Sequence, residues 1–598
     1  MMFAFQIPFV VKIFSMLRFA LAGVLLVSII CPVAAELTPD FLMDSDPGFR
    51  APAPVPRFKK DFKGVWQQAL KRPEVDFQRM AAETIARAHV HGIPDLIQLV
   101  PDLEAILVEP TSHPAARYAA ARALITLESR SSAAKLFEAG LSHGSDLRQL
   151  VEPVMAEWDF LPARAIWIQR LKTAETRPSE MILAISGLGK VQDDSSIELL
   201  TGIVTDVHRA PNIRMEAALA AGASTRKGLE AVANQMNDEV RTDPFINRLC
   251  AVRLLEGHSS PDAQKLLERL AADQAGPIAA AALKRLNAID SDLVVPFAEN
   301  AMKHPDQHVR EEGVASYLRR PTPDRIKILG ERLSDDHPAI RKQVSEGLFE
   351  LSMKPEFEET IRAVGMVVLQ GDRWQGQSEA AMLLGALDHK PAADRLVELL
   401  HSTRPEVMVS TAWALRKLAE PRTGPAILEK IRTQTAERQQ RTIPGVDVQV
   451  AHLFEACGVM KIRDVEPLMV PYIPKNLKII RSRGGAVWAV GKIHEGDPDE
   501  RICQHLIGRF TDTDSNEPEH PFIRQLSAIS LARMGATQYV PKLRDSVAAG
   551  VPPTPLGLSI RWAIQKLAGE QLPEPEPESI PDGDWFLEPA ESGSPLNR

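Results

Sequence analysis

DRIKILGERLSDDHPAIRKQVSEGLFEL, residues Asp324 to Leu351, reads as two amphipathic helices joined by a tight turn. Ile326, Leu329 and Leu333 share one face of the first helix. Ser334-Asp335-Asp336-His337-Pro338 forms the turn, because Asp suits a helix cap and Pro a first helical position, where its missing N–H costs nothing. In the second helix Ile340, Val344, Leu348 and Leu351 stand at i, i+4, i+8 and i+11, one apolar stripe on an α-helix.

Leu348 has counterparts along the chain: Leu124, Met155, Leu188, Ala221, Leu254, Leu286, Tyr317, Leu384 and Leu415. The steps from Leu124 to Leu415 are 31, 33, 33, 33, 32, 31, 31, 36 and 31 residues. A step of about 32 holds two helices of roughly a dozen residues and two tight turns. Ile85 marks an earlier unit, and Phe454, Val490, Leu531 and Ile564 mark later ones with looser spacing. The breakers His113-Pro114, Arg209-Ala210-Pro211, His304-Pro305-Asp306 and Arg404-Pro405-Glu406 fall between helices, and strand signals are nearly absent. The expectation is an all-α solenoid of about 13–15 antiparallel helix pairs. A lone pair leaves its apolar face open and needs neighbours to cover it, so one core extends through the stack.

An Arg stands seven residues before the marker in many units, as Arg117, Arg148, Arg214, Arg310, Arg341, Arg483 and Arg524. With the turn Pro, this Arg makes residues 66–569 resemble the HEAT-repeat family, including the shorter HEAT-like units described with phycobilin lyases. The resemblance implies a ladder in which that Arg pairs with an Asp near the preceding turn, here Asp306 or Asp335, and several units lack an obvious acid. It also implies second helices lining an inner groove that binds proteins. Residues placed there are Arg310, Arg341, Lys342, Arg416, Lys417, Arg481 and Arg561. Two readings of the Arg series stand side by side: a basic groove for an acidic or extended polypeptide, and the inter-repeat ladder. Trp413, Trp488 and Trp562 also lie in second helices, as core packing or as binding anchors.

No constellation for chemistry emerges, so no catalytic, cofactor or metal residue is assigned. The sequence holds no Cys-x-x-Cys-His, His-Glu-x-x-His or phosphate loop. His89 and His91, like Cys503 and His505, are two apart and point to different sides of a helix. A HEAT-like iron hydroxylase family uses several His-Glu pairs, whereas His494-Glu495 stands alone here. The net charge of −8 argues against nucleic acid as a partner.

The ends carry their own signals. Lys12, Arg18, the apolar run Phe19 to Ile30 and the small residues Val33-Ala34-Ala35 read as a signal peptide over residues 1–35, cleaved after Ala35. Met16 is an alternative start, and retention as an anchor the alternative fate. No later segment looks membrane-spanning. Cys250, Cys457 and Cys503 are too few for a disulfide framework in an exported chain and are expected as buried free thiols. The absence of Asn-x-Ser/Thr favours a bacterial envelope, with a periplasmic or secreted location. Residues 36–65 form a Pro-rich lead-in. Thr433 to Val446 and Thr511 to Pro521 read as enlarged loops. The tail, residues 570–598, carries eight acids against Arg598, a net −7 that leaves the solenoid near neutral. Within it Trp585-Phe586-Leu587 is apolar enough to dock. The function these features favour is an exported, non-catalytic scaffold or adaptor for a protein partner. The alternatives are a self-associating envelope component and a lyase-like protein handling a cofactor.

Overall fold

In a computed structural model the structure describes residues 37–53, 55–56, 62–239, 242–438, 445–577 and 579–580. Residues 1–35, expected as a signal peptide cleaved after Ala35, and the Trp585-Phe586-Leu587 motif lie outside the described residues. The rest is an α-solenoid of helix pairs. Fifteen second helices follow one another from Val75–Val90 to Pro555–Ala568, each preceded by a first helix, beginning with Phe62–Leu70. Each second helix carries one of the fifteen markers, from Ile85 to Ile564, and every one is buried. The longest step, from Leu348 to Leu384, accommodates a 16-residue first helix, Pro355–Gln370. Near that helix the hydrophobic core divides into an N-terminal and a C-terminal cluster.

Local chemistry explains the regularity. Second helices begin with Pro at a first position in Pro114–Thr126, Pro178–Lys190, Pro338–Ser352, Pro405–Leu418 and Pro521–Met534. Several end in a left-handed residue, among them Glu128, Asp159, Gln192, Asp388 and Gly535. There the N–H of the next residue closes onto the marker's own carbonyl: Ser129 on Leu124, Phe160 on Met155, Asp193 on Leu188, His389 on Leu384 and Ala536 on Leu531. This is the Schellman closure, which satisfies a free carbonyl at the helix end. The marker therefore serves twice, its side chain in the core and its backbone in the turn. Successive second helices also pack closely. A Cβ on Gly385 would lie 2.8 Å from the Ala414 Cα of the next second helix, so only glycine permits that approach.

The Arg series forms the ladder, but in the opposite direction from the expectation. Arg117 donates to the carbonyls of Leu107, Glu109 and Pro110, at the end of its own first helix. Arg214, Arg310, Arg341, Arg483 and Arg524 reach the corresponding carbonyls of their own units. A guanidinium there covers free carbonyls at the negative end of the helix. The acidic partner then comes from the following unit, not the preceding turn. Arg148 pairs with Glu180, Arg310 with Asp335, Arg341 with Glu379 and Arg483 with Glu519. Arg214 uses the neutral Asn247. The direction follows from the carbonyl bonds, which turn the guanidinium toward the next repeat.

Two loop expectations change. Thr433 belongs to the helix Gly424–Arg438. The Thr511 to Pro521 loop is bound into the ladder by Glu519, fully buried against Arg483. Cys250, Cys457 and Cys503 are buried free thiols, pushed up by burial to about 11, 12 and 11. Among the described residues no helix is long and apolar enough to cross a membrane.

Candidate functional site: the second-helix face of the C-terminal repeats

The lead-in is not a free linker. Residues Leu37 to Arg50, with one helical turn at Leu42–Ser45, run across the last five second helices: Pro405–Leu418, Val446–Met460, Ile480–Ile493, Pro521–Met534 and Pro555–Ala568. Val55 and Pro56 then pair in parallel with Ser579 and Ile580 of the tail.

The contacts follow the repeat. In the first of these helices Trp413 Nε1 donates to Asp40 Oδ1 at 2.6 Å, and Arg416 Nη2 donates to the same oxygen at 2.6 Å. In the second, Phe41 stacks on His452 with centroids 4.2 Å apart and an 11° interplanar angle. Glu455 accepts the Met43 N–H at 2.9 Å and pairs with Arg416 at 3.1 Å. In the third, Arg481 lies over the Phe41 ring at 4.7 Å and pairs with Asp44 at 2.8 Å. Trp488 Nε1 donates to the Asp46 carbonyl at 3.2 Å. The fourth supplies Arg533, which donates to that carbonyl and pairs with the Asp46 carboxylate, both at 2.8 Å. In the fifth, Trp562 meets the Phe49 ring edge-on at 6.4 Å.

A local pattern underlies these stations. Trp413, Trp488 and Trp562 stand two residues before their markers, and Lys417, Lys492 and Lys566 two residues after. The i, i+4 spacing puts each Lys beside its Trp, with the ammonium 5.2, 5.8 and 5.2 Å from the ring centroid. In the intervening repeats His452 takes the Trp position and Arg533 the Lys position. The face therefore presents aromatic plates edged with positive charge, which suits an acidic, aromatic peptide.

The electrostatics agree. Burial raises the Asp40 carboxyl, but the Trp413 and Arg416 hydrogen bonds and the charges of Arg416 and Lys417 outweigh it and hold it below 3.8. Burial holds the His452 imidazole below 6.5, against the hydrogen bond and charge of Glu455. A neutral His452 is the better plate for Phe41 beside the Arg416 guanidinium.

Of the residues placed on this face from sequence, Arg416, Lys417 and Arg481 meet the lead-in, and Arg561 donates to the Leu572 carbonyl of the tail at 2.9 Å. Arg416, expected to be exposed, has only 1% of its side chain accessible because Asp40 and Glu455 enclose it. Arg310 and Arg341 belong to the ladder, and Lys342 lies beside Glu346 on the exposed surface. Sequence reasoning missed the occupant itself, together with Asp40, Glu455, His452, Lys492 and Arg533. The Trp-x-x-x-Lys recurrence and the three Asp of residues 37–50 were the available signals. Elsewhere, His494 is buried against Glu466 at 3.2 Å. Among the described residues no three His, Cys, Asp or Glu side chains gather to hold a metal.

No protein-family model matches the chain, and no curated protein matches it. Solved structures do. Yeast importin-β (Kap95p) is similar at 11% identity and a TM-score of 0.50, covering 85% of this chain and 72% of that one. A structure of Kap95p with RanGDP gives 11%, 0.48, 86% and 72%, and importin β in an ammonium sulfate condition 12%, 0.44, 85% and 77%. At such identity the likeness to yeast importin-β extends to the helical-repeat fold alone.

Proposed function

We propose that this protein is an exported, non-catalytic scaffold that binds another protein along the face of its second helices. The observation that carries the reading is the docked lead-in: an extended acidic peptide lies across five successive repeats and is read by side chains that recur at the repeat spacing. Solenoids present such extended surfaces because each repeat adds one set of contacts. Export rests on the leader-like residues 1–35, with cleavage after Ala35, and on the few unpaired cysteines.

The test is affinity capture with residues 36–598 from an envelope extract, followed by mass spectrometry and a metal and chromophore scan of the eluate. A stoichiometric protein partner with a clean scan is expected. A bound metal or pigment without a protein partner sinks the scaffold reading in favour of cofactor handling. Size that rises with concentration, with no other protein recovered, points to a self-associating component.

A further inference from the structure

We propose that the C-terminal second-helix face is a groove for an extended acidic segment of a partner protein bearing Asp–aromatic pairs, and that residues 37–49 are its resident, displaceable occupant. This deepens the scaffold reading and rests on it.

Three observations carry the proposal. First, residues 37–49 run along the surface of the second helices and reach the C-terminal core cluster through Met43 alone, with Phe41, Leu42 and Phe49 half-buried against it. Of residues 37–49 only Met43 is fully buried, while the Asp40, Asp44 and Asp46 side chains remain 52, 42 and 39% accessible. Second, most of the groove's charged groups are paired without it. Arg416 pairs with Glu455, and Asp447 caps the N–H groups of Arg481 and Ser482. Arg483 is held by Glu519, and the Trp–Lys pairs lie within single helices. Departure of the segment therefore leaves those charges paired, while Arg533, which among the described residues pairs with Asp46 alone, must pass to the water that replaces the segment. Third, the stations are repetitive and read different parts of the ligand. Trp413 takes a carboxylate, Trp488 a backbone carbonyl and Trp562 an aromatic ring. Trp413 and Trp488 stand two repeats apart, about 16–20 Å at ordinary helix spacing. Asp40 and Asp46 meet these stations from either side of the helical turn Leu42–Ser45, so the register suits a peptide with one such turn, whichever chain supplies it.

Belonging to the same chain gives the resident segment the advantage of high effective concentration. A partner segment of the same chemistry therefore binds the intact protein weakly and the emptied groove strongly.

The experiment uses residues 36–598 and a full-length variant with residues 38–49 replaced by Gly/Ser of equal length. The probe is a fluorescein-labelled peptide of residues 37–50, with a control in which its three Asp are Asn. The emptied variant is expected to keep its helical content and to bind the peptide at least about tenfold more tightly than the intact chain. The Asn control should bind neither well. Failure of the variant to fold, or equal binding to both proteins, overturns the proposal and makes the lead-in a permanent brace. A partner captured equally well by both proteins overturns it too, while leaving the scaffold reading intact.

Discussion

The ten N-terminal repeats and the five C-terminal ones share a fold but not a face. Both bury the same marker, and both use the Schellman turn and the arginine ladder. Two residues before the marker, the N-terminal repeats carry a mixture including Glu83, Arg122, Ser186, Lys284 and Glu346. The same position in the C-terminal repeats is Trp413, His452, Trp488, Ile529 and Trp562. Two residues after it, the C-terminal repeats place Lys417, Lys492, Arg533 and Lys566. Only this second set holds the lead-in. The marker and ladder specify stacking, and the flanking positions on the face that meets the lead-in are free to specify a ligand.

The ladder itself differs between the regions, and breaking it should give the largest effect. Arg483 and Glu519 are both fully buried, whereas Arg310 retains 13% side-chain exposure opposite Asp335. Glu519→Leu strands a buried guanidinium and should cost about 3–5 kcal/mol. Asp335→Leu leaves Arg310 two carbonyls and some water, and should cost about 1–3 kcal/mol. Chemical denaturation with repeat-resolved hydrogen exchange separates the two. Equal losses in both regions contradict the difference drawn here.

Acid should loosen the occupied face next. Because burial depresses His452, its contribution is complete above 6.5 and is lost as pH falls through the lower folded value. The loss is at most about 1.4 kcal/mol per pH unit below 6.5. Around the ring, Glu455 and Asp40 favour its protonation and Arg416 opposes it. Asp40 runs in a different window, since its depressed carboxyl supports docking above 3.8 and fails only below that. Hydrogen-exchange protection of residues 41–46 should therefore hold above pH 6.5 and fall as pH drops below it, and His452→Gln should flatten the change. His258 in the N-terminal region is also held low by burial but lies far along the chain from any lead-in contact. His258→Gln should leave the protection of residues 41–46 as it is.

How much of this was legible in the sequence divides along the same line. All fifteen markers were visible, because a helical stripe and a turn are local and recur. The ladder's residues were visible and its direction was not, since direction depends on which carbonyls the guanidinium meets after stacking. The lead-in read as Pro-rich and irregular. Its partners lie roughly 370 to 490 positions away, as with Trp413 to Asp40 and Arg533 to Asp46, and no periodicity links them. Arg416 looked exposed for the same reason, because the acids that cover it come from another helix and from the lead-in.

Gly484→Ala probes the anchor with a smaller effect. A Cβ there would stand 2.8 Å from Phe522 Cε1 and 2.9 Å from Met43 Sδ. Overpacking costs about 1–3 kcal/mol, and the gain in helix propensity returns about 1 kcal/mol. The net change in global stability should be about 1 kcal/mol. Met43 belongs to the lead-in and yields before the helix that carries Phe522 does. Loss of protection at residues 42–46 with an almost unchanged unfolding midpoint is the expected signature. A lowered midpoint with the lead-in still protected would mean that Met43 belongs to the core.

The smallest effect is the most informative about the rim. Lys417 approaches Asp40 at 3.9 Å with both side chains well exposed, and Arg481 with Asp44 is similarly open. Such pairs contribute about 0.2–1 kcal/mol and are screened by salt. Lys417→Ala should therefore raise the exchange of residues 40–44 by no more than about fivefold, and 0.5 M NaCl should remove most of the difference between variant and parent. Met43, the Phe41–His452 stack and the Trp488 hydrogen bond to a backbone carbonyl should persist in that salt. If salt alone releases the lead-in, the charged rim does the holding and any acidic chain can compete. If protection survives, the aromatic plates and the Met43 contact select the ligand. The Lys and Arg residues then contribute mainly to the speed and direction of its approach.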